Sequence, residues 1–239
     1  LEKDVVLGTA LVDMYSKCGS LEKAREVFDK LPFHDVVSWT TLISGYVQLG
    51  SDNVVIDLFN KMVCDGIEPN LVTFTVLLNG CSHSGLLDLA RLYGESMSRS
   101  YGIIPMLEQN TCMVDVFARA GHFDDACKFL QSFPIFPNVK TWMSLLTSCR
   151  TFGRISFGKH CFSELMKQDP NNASAFLIMS KIYADANMWD EVYKLEDARR
   201  EKGAWKKPGK ACLEIAAGVH EFITKERDYH QPEVAYFRR

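Results

Sequence analysis

The sequence predicts an all-α fold, a right-handed α–α solenoid built from helix–turn–helix repeats. An amphipathic pattern of two short helices recurs along the chain in units of 31 to 36 residues. The fifteenth position of every unit is glycine or asparagine, the residue types that tolerate a left-handed turn between helices. A helix pair of this length cannot bury its apolar face alone, so neighbouring pairs are expected to stack into a continuous array.

The repeat register gives each unit a defined start and a defined turn. The six units start at Val5, Val36, Leu71, Leu107, Val139 and Ala173, and the last ends near Lys206. The fifteenth positions are Gly19, Gly50, Gly85, Gly121, Gly153 and Asn187. In the second unit, Leu42, Ile43 and Tyr46 form one apolar face, and Val55, Leu58, Phe59 and Met62 form the next at helical spacing. Beyond the last unit, the β-prone segments Cys212–Ile215 and Val219–Ile223 predict a small hairpin packed on the final helices.

Composition and charge are those of an ordinary globular chain. Of 239 residues, 47% are hydrophobic and 24% are charged, and no apolar run is long enough for a membrane span. The net charge of −3 is unevenly divided, since residues 1–138 hold 10 Lys and Arg against 17 Asp and Glu. A basic cluster comprises Arg199, Arg200, Lys202, Lys206, Lys207 and Lys210. We interpret this cluster as a solvated helix end, in preference to a phosphate-binding patch.

The cysteines and histidines give no sign of a metal or catalytic site. The eight cysteines, Cys18, Cys64, Cys81, Cys112, Cys127, Cys149, Cys161 and Cys212, form no CxxC pair. Their scatter predicts buried free thiols in a reducing compartment. Zinc-dependent base deaminases need HxE and PCxxC motifs, and neither is present. We interpret His220 and His230 as surface or hairpin residues, and we expect no metal, no cofactor and no catalysis by this chain alone.

Several motifs resemble the pentatricopeptide repeats of plant organellar proteins. They are LVDMYSKCGSLEKAREVFDKLP in the first unit, VVSWTTLISGYVQLG in the second, VTFTVLLNGCSHSGLLD in the third and CMVDVFARAGHFDDACKFL in the fourth. The resemblance implies four repeats within residues 1–138, at 5–35, 36–70, 71–106 and 107–138, whose lengths alternate as in the PLS subfamily. It further implies two degenerate, tetratricopeptide-like E units at 139–206 and an E+ tail with its PG box at 207–239. The deaminase (DYW) domain of related editing proteins is not recognisable, and more repeats are expected upstream of Leu1.

The resemblance also implies how the repeats bind RNA. In this family each repeat reads one base of single-stranded RNA through its fifth and last residues. The pairs are Thr9/Asp35 for G, Thr40/Asn70 for A, Thr75/Met106 without a preference and Thr111/Asn138 for A, giving the footprint 5′-G-A-N-A-3′. The second-position residues Val6, Val37 and Val72 are expected to wedge between bases, and Glu108 departs from that pattern. Thr40 and Asn70 are expected to be exposed to RNA.

The function implied is recognition of sites for C-to-U editing in organellar transcripts. The deaminase would belong to another repeat protein acting in trans or to a further domain. Small organellar editing factors would dock on residues 71–106, and the location would be the mitochondrion, with the chloroplast as the alternative. No targeting peptide is visible in this chain. Two other interpretations stay open, namely a tetratricopeptide-like scaffold for protein partners and a factor for RNA stability or splicing.

Overall fold

Twelve helices and one β-hairpin make up the described part of the chain. The computed structural model describes residues 2–132, 137–205, 210–215 and 218–223. The helices are α1 (Glu2–Lys17), α2 (Leu21–Asp29), α3 (Val36–Gln48), α4 (Asp52–Cys64), α5 (Leu71–Ser84), α6 (Leu87–Arg99), α7 (Leu107–Arg119), α8 (Phe123–Ser132), α9 (Val139–Thr151), α10 (Ile155–Gln168), α11 (Ala173–Asp185) and α12 (Trp189–Glu201). Strands β1 (Lys210–Ile215) and β2 (Gly218–Ile223) pair antiparallel, with Lys210 opposite Ile223.

The helices are arranged in two layers. Each odd-numbered helix packs against the even-numbered helix that follows it, and also against the next odd-numbered helix along the chain. The odd-numbered helices therefore form one continuous layer, which we call the first-helix layer. It comprises α1, α3, α5, α7, α9 and α11. This arrangement confirms the predicted all-α solenoid. The predicted hairpin is present in the backbone of the tail, and its packing on the last helices stays a prediction.

Capping residues fix where the first helices begin. Helices α3, α5, α7, α9 and α11 begin at the residues where the second to sixth units start. The preceding residue is the N-cap, and at Asp35, Asn70, Asn138 and Asn172 its side chain accepts a hydrogen bond from the backbone N–H three residues later, at 2.8–3.0 Å. Such a cap satisfies one of the N–H groups that a helix start leaves without an intrahelical partner. Met106, before α7, makes no such side-chain bond.

The turns inside the units have the left-handed backbone that the sequence predicts. All six fifteenth-position residues have positive φ, from 58° at Asn187 to 79° at Gly121. At Gly50, for example, φ is 66°, and the next residue, Ser51, donates its N–H to the Tyr46 carbonyl at 3.1 Å. That bond closes the end of α3 and sends the chain back into α4.

An apolar core runs between the two layers and across the unit boundaries. In the second unit, Leu42, Ile43, Leu58 and Met62 are at most 1% exposed. The ring of Phe59 meets Phe74 and Tyr93 of the third unit edge-on, with centroids 6.1 and 5.4 Å apart. Because the core is shared in this way, each unit depends on its neighbour for burial. No helix among the described residues is long and apolar enough to cross a bilayer.

The prediction that the cysteines are buried holds for only some of them. Cys81, Cys112, Cys149 and Cys161 are buried, Cys127 is partly buried, and Cys212 lies among residues whose side chains are not described. The prediction is wrong for Cys18 and Cys64, which are exposed because they lie where α1 and α4 end. Burial raises the pKa of the Cys81 thiol to about 12 and that of the Cys112 thiol to about 11.

The basic cluster is not a uniform solvated surface. Arg199 is 8% exposed, and its guanidinium carbon lies 4.9 Å from the centroid of the Trp205 ring. Its Nε donates to Glu196 at 3.0 Å. Arg199 therefore ties the end of α12 to the following segment, which corrects its assignment to a solvated helix end. Arg200 and Lys202 are exposed as expected, and the side chains of Lys206, Lys207 and Lys210 lie outside the described residues.

Candidate nucleic-acid interface

The second-position valines are exposed on the first-helix layer. Val6 is 72% exposed, Val37 57% and Val72 59%. Exposed β-branched residues at equivalent positions of successive helices form a regular row of apolar side chains. Such a row has the spacing of the repeats and the chemistry to contact the faces of unstacked bases. Glu108, at the same position of the fourth unit, is also exposed and interrupts the row with a carboxylate.

The fifth-position threonines lie deeper than the valines. Thr9 and Thr75 are partly exposed, whereas Thr40 and Thr111 are only 8% exposed. The expectation that the Thr40 side chain is exposed is therefore wrong. Its hydroxyl oxygen lies 2.8 Å from that of Thr73 in the next unit, so the hydroxyl faces the neighbouring helix. Only an edge of the side chain is left for a ligand.

Three of the four last-position residues are helix caps. Asp35, Asn70 and Asn138 are the N-caps of α3, α5 and α9, and in each the Oδ1 atom accepts the capping N–H. The cap leaves the second polar atom of each side chain available, Oδ2 in Asp35 and Nδ2 in Asn70 and Asn138. Asn70 is exposed, and Asp35 and Asn138 are partly exposed.

The cap therefore decides which chemistry the free atom offers. An asparagine whose oxygen is held by a backbone N–H turns its amide group outward, and an amide nitrogen can only donate. An aspartate in the same place presents a carboxylate oxygen, which can only accept. The Watson–Crick edge of adenine has a ring nitrogen that accepts, whereas that of guanine has a ring N–H that donates. The caps thus leave a hydrogen-bond donor free at Asn70 and Asn138 and an acceptor free at Asp35.

The third unit lacks this arrangement. Met106 is 59% exposed and has no polar group that could pair with a base edge. The Thr75 hydroxyl donates to the Leu71 carbonyl at 2.9 Å and accepts from the Gln109 amide nitrogen. Both hydrogen-bond partners of the Thr75 hydroxyl therefore lie inside the protein, and the low base discrimination of this unit stays a prediction.

Three residues that contact the fifth-position threonines were not predicted from the sequence. They are the third residues of the following units, namely Thr73, Gln109 and Thr141, and each contacts the fifth residue of the preceding unit. A signal for two of them was available, because Asn70 and Asn138 are each followed three residues later by a threonine, as in a capping box. The contact across units could not be found from that pattern alone.

A polar groove of about 920 Å³ lies beside Thr111 and is lined by His83, Arg119 and Lys140. Asp115 lies in the same groove, where its carboxylate accepts hydrogen bonds from the Ser82 and Ser144 hydroxyls and from Arg119 Nε. Among the described residues, no group of three His, Cys, Asp or Glu side chains could hold a metal ion. The groove therefore offers a few cations and hydroxyl groups beside the row of threonines.

These features define a helical-repeat protein in which a polar N-cap residue precedes the first helices α3, α5 and α9, whereas Met106 precedes α7. The sequence matches the PPR repeat family over residues 34–83, single PPR repeats over 9–36, 72–101 and 111–133, and the E motif over 153–214. The chain belongs to the pentatricopeptide repeat (PPR) proteins and carries an E motif, and its repeats are consistent with the PLS type.

The names of two relatives from Arabidopsis thaliana give different organelles. A mitochondrial pentatricopeptide repeat-containing protein is 37% identical over 230 residues, which are 96% of this chain and 36% of the relative. The chloroplastic protein CRR2 is 38% identical over 216 residues, 90% of this chain and 33% of the relative. The chain thus spans about a third of the length of the curated relatives it matches.

Solved structures share the fold at low sequence identity. The crystal structure of PPR10 from maize superposes with a TM-score of 0.67 at 22% identity, over 82% of this chain and 29% of that protein. PPR10 in complex with an 18-nt psaJ RNA element superposes with a TM-score of 0.70 at 15% identity, over 83% and 30% of the two chains.

Proposed function

We propose that this chain binds single-stranded RNA through its first four units, one base per unit, with the footprint 5′-G-A-N-A-3′. The observation that carries this proposal is the capped last residue, because each cap leaves one polar atom free beside a fifth-position threonine. The same arrangement recurs in the second unit, with Thr40 and Asn70, and in the fourth unit, with Thr111 and Asn138. The likeness of the fold to PPR10, whose structure contains an RNA element, supports this function.

The base assignments follow from donor and acceptor chemistry. The free carboxylate oxygen of Asp35 would accept from the N–H groups of guanine, and Asn70 and Asn138 would donate to the ring nitrogen of adenine. Val6, Val37 and Val72 would contact the faces of neighbouring bases, which supports their role as wedges. Met106 leaves the third base unread. The proposal assigns the base-reading role to Thr9, Thr40, Thr75 and Thr111 together with these last residues.

We further propose that RNA binding serves C-to-U editing of organellar transcripts, with residues 139–206 and the tail from 207 leading to or recruiting the deaminase. The E motif match over 153–214 supports this role, since E units resemble those of editing proteins. The deaminase chemistry would come from another polypeptide or another domain. The mitochondrion is the proposed location, and the chloroplast remains the alternative because relatives of both kinds exist.

Exposed aromatic residues of the last helix support a docking role for the C-terminal units. Trp189 and Tyr193 are one turn apart on α12 and are 53% and 58% exposed. Large exposed aromatic side chains are enriched where proteins bind partners. We propose that this surface receives the deaminase-bearing protein. If so, W189A/Y193A should abolish capture of that partner and leave RNA affinity unchanged.

The third unit has an apolar cavity that fits the proposed docking of small editing factors on 71–106. The cavity has a volume of about 460 Å³ and lies beside α6, α7 and α8, where Met97, Met113 and Phe129 line it. Leu92, on α6, is 62% exposed. Apolar side chains of a partner could extend the core here without a change in the first-helix layer.

Fluorescence anisotropy at fixed salt, with a short RNA carrying GAUA and its single-base variants, tests the RNA-binding function. We expect a change of the first, second or fourth base to weaken binding by about 1–3 kcal/mol, and a change of the third to have little effect. Equal affinity for GAUA and CUUU would contradict the base assignment. Failure to bind any RNA would favour the protein scaffold. Restoration of editing, splicing or transcript levels in a plant mutant would separate the RNA-processing roles.

A further inference from the structure

We propose that Thr73, the third residue of the third unit, is a positioning residue that sets the donor and acceptor polarity of the base-reading pair of the second unit. The proposal rests on the proposed RNA-binding function and deepens it. Its basis is a short chain of hydrogen bonds that joins the fifth residue of one unit to the last residue of the same unit. The link passes through a hydroxyl that belongs to the next unit.

In the second unit this chain of bonds is complete. The Thr73 hydroxyl lies 2.8 Å from the Thr40 hydroxyl and 3.2 Å from Asn70 Oδ1, and the Asn70 backbone N–H donates to it at 3.2 Å. Thr73 is fully buried, so water cannot replace these partners. The two members of the predicted reading pair, Thr40 and Asn70, are thus connected by one buried side chain.

Only one placement of the protons makes a hydrogen bond of each of these three contacts. A hydroxyl has one proton and two lone pairs. Asn70 Oδ1 can only accept, so the single Thr73 proton goes to it. The short contact between the hydroxyls therefore requires the Thr40 proton to point toward Thr73. The Thr40 oxygen is left with lone pairs only, and it can act toward a ligand solely as an acceptor.

The reading pair of the second unit then offers one acceptor and one donor. The acceptor is the Thr40 oxygen, and the donor is the Asn70 amide, whose oxygen is occupied by the cap. The complementary base edge has an amino group, which donates to Thr40, next to a ring nitrogen, which accepts from Asn70. Adenine and cytosine both have this edge. Guanine and uracil have a donating ring N–H next to a carbonyl, so they meet like groups at both positions. The network thus selects amino bases over keto bases, and the choice between purine and pyrimidine must come from size.

The fourth unit reaches the same polarity by a different route. The Thr111 hydroxyl donates to the Leu107 carbonyl at 2.8 Å. The Thr141 hydroxyl donates to Asn138 Oδ1 at 3.1 Å and lies 3.1 Å from the Thr111 hydroxyl. Thr111 is thus left as an acceptor by a carbonyl of its own helix, and Thr141 is not needed to set that polarity.

The first unit provides a natural contrast. Ser38 is the corresponding third residue, and its hydroxyl donates to the backbone carbonyl of Asp35 at 3.0 Å instead of to the side chain. Among the described residues, no hydrogen bond joins Ser38 to Thr9. The bridge is thus absent in the unit for which guanine is predicted. Ser38 shares the position and the capping role of Thr73 without the link.

Substitution of Thr73 by valine tests the proposal, because valine keeps the shape of threonine and removes the hydroxyl. The second base of GAUA is varied through all four bases, and the dissociation constants are measured by anisotropy with the full chain. We expect the preference of the T73V variant for A over G to fall about fivefold, since Thr40 is then free to donate or accept. The preference for A over C should not change. Thr73→Ser should restore the original A over G ratio, whereas T141V should leave the A over G ratio at the fourth base unchanged, because the Thr111 proton stays with the Leu107 carbonyl.

Ser38→Ala is the matched control, and we expect it to leave the preference for G at the first base unchanged. Circular dichroism and thermal melts report folding. The fold should persist, because the backbone N–H of residue 73 still donates to Asn70 Oδ1. An unchanged A over G ratio in folded T73V, or an equal loss of affinity for all four bases, would overturn the proposal. If T73V does not fold, Thr73→Ala is measured by the same criteria. A wild-type chain without any preference at the second base would instead reject the base assignment itself.

Discussion

At the residue scale, a single asparagine serves both the fold and the proposed interface. Asn70 caps α5 with its oxygen and leaves its amide group exposed. Exchange of that amide for a carboxylate changes the free atom from donor to acceptor without removal of the cap, because aspartate and asparagine are comparably good N-caps. Stability and base preference can therefore be separated at this position.

We predict that Asn70→Asp shifts the preference at the second base from A toward G. The carboxylate would accept from the ring N–H of guanine and lose its match to adenine, so the A over G ratio should fall about tenfold, while the Thr40 oxygen, an acceptor, limits the gain for guanine. Anisotropy with GAUA and GGUA measures the ratio. Asn138→Asp is the matched control, since Asn138 caps α9 in the same way and should leave the ratio at the second base unchanged. An unchanged A over G ratio at the second base in the Asn70→Asp variant would refute the role of the free atom.

The buried thiols predict a loss of stability at alkaline pH. The folded pKa values of Cys81 and Cys112, about 12 and about 11, lie above the ordinary 9.0. Below pH 9 both states keep the thiol protons, whereas above it the unfolded chain releases protons that the folded chain retains. The free energy of unfolding should therefore fall as pH rises from about 9 toward 11. Urea titrations at pH 8 and pH 10 measure this fall, and Cys81→Ala should reduce it. Equal pH slopes in the two proteins would contradict the assignment to Cys81.

At the element scale, the turn inside each unit is the feature that the sequence predicts best. Glycine or asparagine at the fifteenth position is a local requirement, and all six residues have the expected left-handed backbone. Asn187 is the non-glycine member of the set, with a φ of 58°. An asparagine tolerates this conformation less well than glycine.

We expect Asn187→Gly to raise the free energy of unfolding by a few tenths of a kcal/mol, because glycine removes the strain of a side chain at positive φ. Gly50→Ala should act in the opposite direction and lower stability by about 1 kcal/mol. Chemical denaturation of both variants beside the wild type measures the two changes. The same sign for both would show that φ at this position does not limit stability.

What the sequence could not predict depends on contacts between elements. The periodic apolar positions and the caps are local signals, and they place α3 and α5 at the residues where the structure has them. The burial of Thr40 depends on a hydroxyl in α5, more than thirty residues away, and no local pattern contains it. The burial of Arg199 likewise results from its contact with the Trp205 ring. Cys18 resembles the other cysteines in sequence but is exposed at a helix end.

At the scale of the whole molecule, charge separates this chain from proteins that bind nucleic acid mainly through phosphates. The part that carries the four reading units has 10 Lys and Arg against 17 Asp and Glu. In the described groove beside Thr111 the cations are Arg119 and Lys140, and Arg119 is also paired with Asp115. The base edges and stacking faces must then supply most of the affinity.

We therefore predict a shallow salt dependence of RNA binding. Two neutralised phosphates would give a slope of about −1.4 in a plot of log association constant against log salt concentration. Lys140→Ala should make that slope less negative by about 0.7 and should weaken binding to all sequences alike. Anisotropy over a series of salt concentrations gives both values. A slope steeper than about −4 would show that phosphate contacts dominate instead.

The bridge through Thr73 has a consequence for any attempt to transplant these units into another array. The groups proposed to read the second base come from Thr40 and Asn70, but the residue that contacts both of them is Thr73, inside the next helix. If the second unit were transferred with its conventional end at residue 70, a residue of the new array would occupy the position of Thr73. Recombination joints placed after residue 73, instead of before Leu71, would carry the complete recognition element and should preserve its base preference in any new neighbourhood.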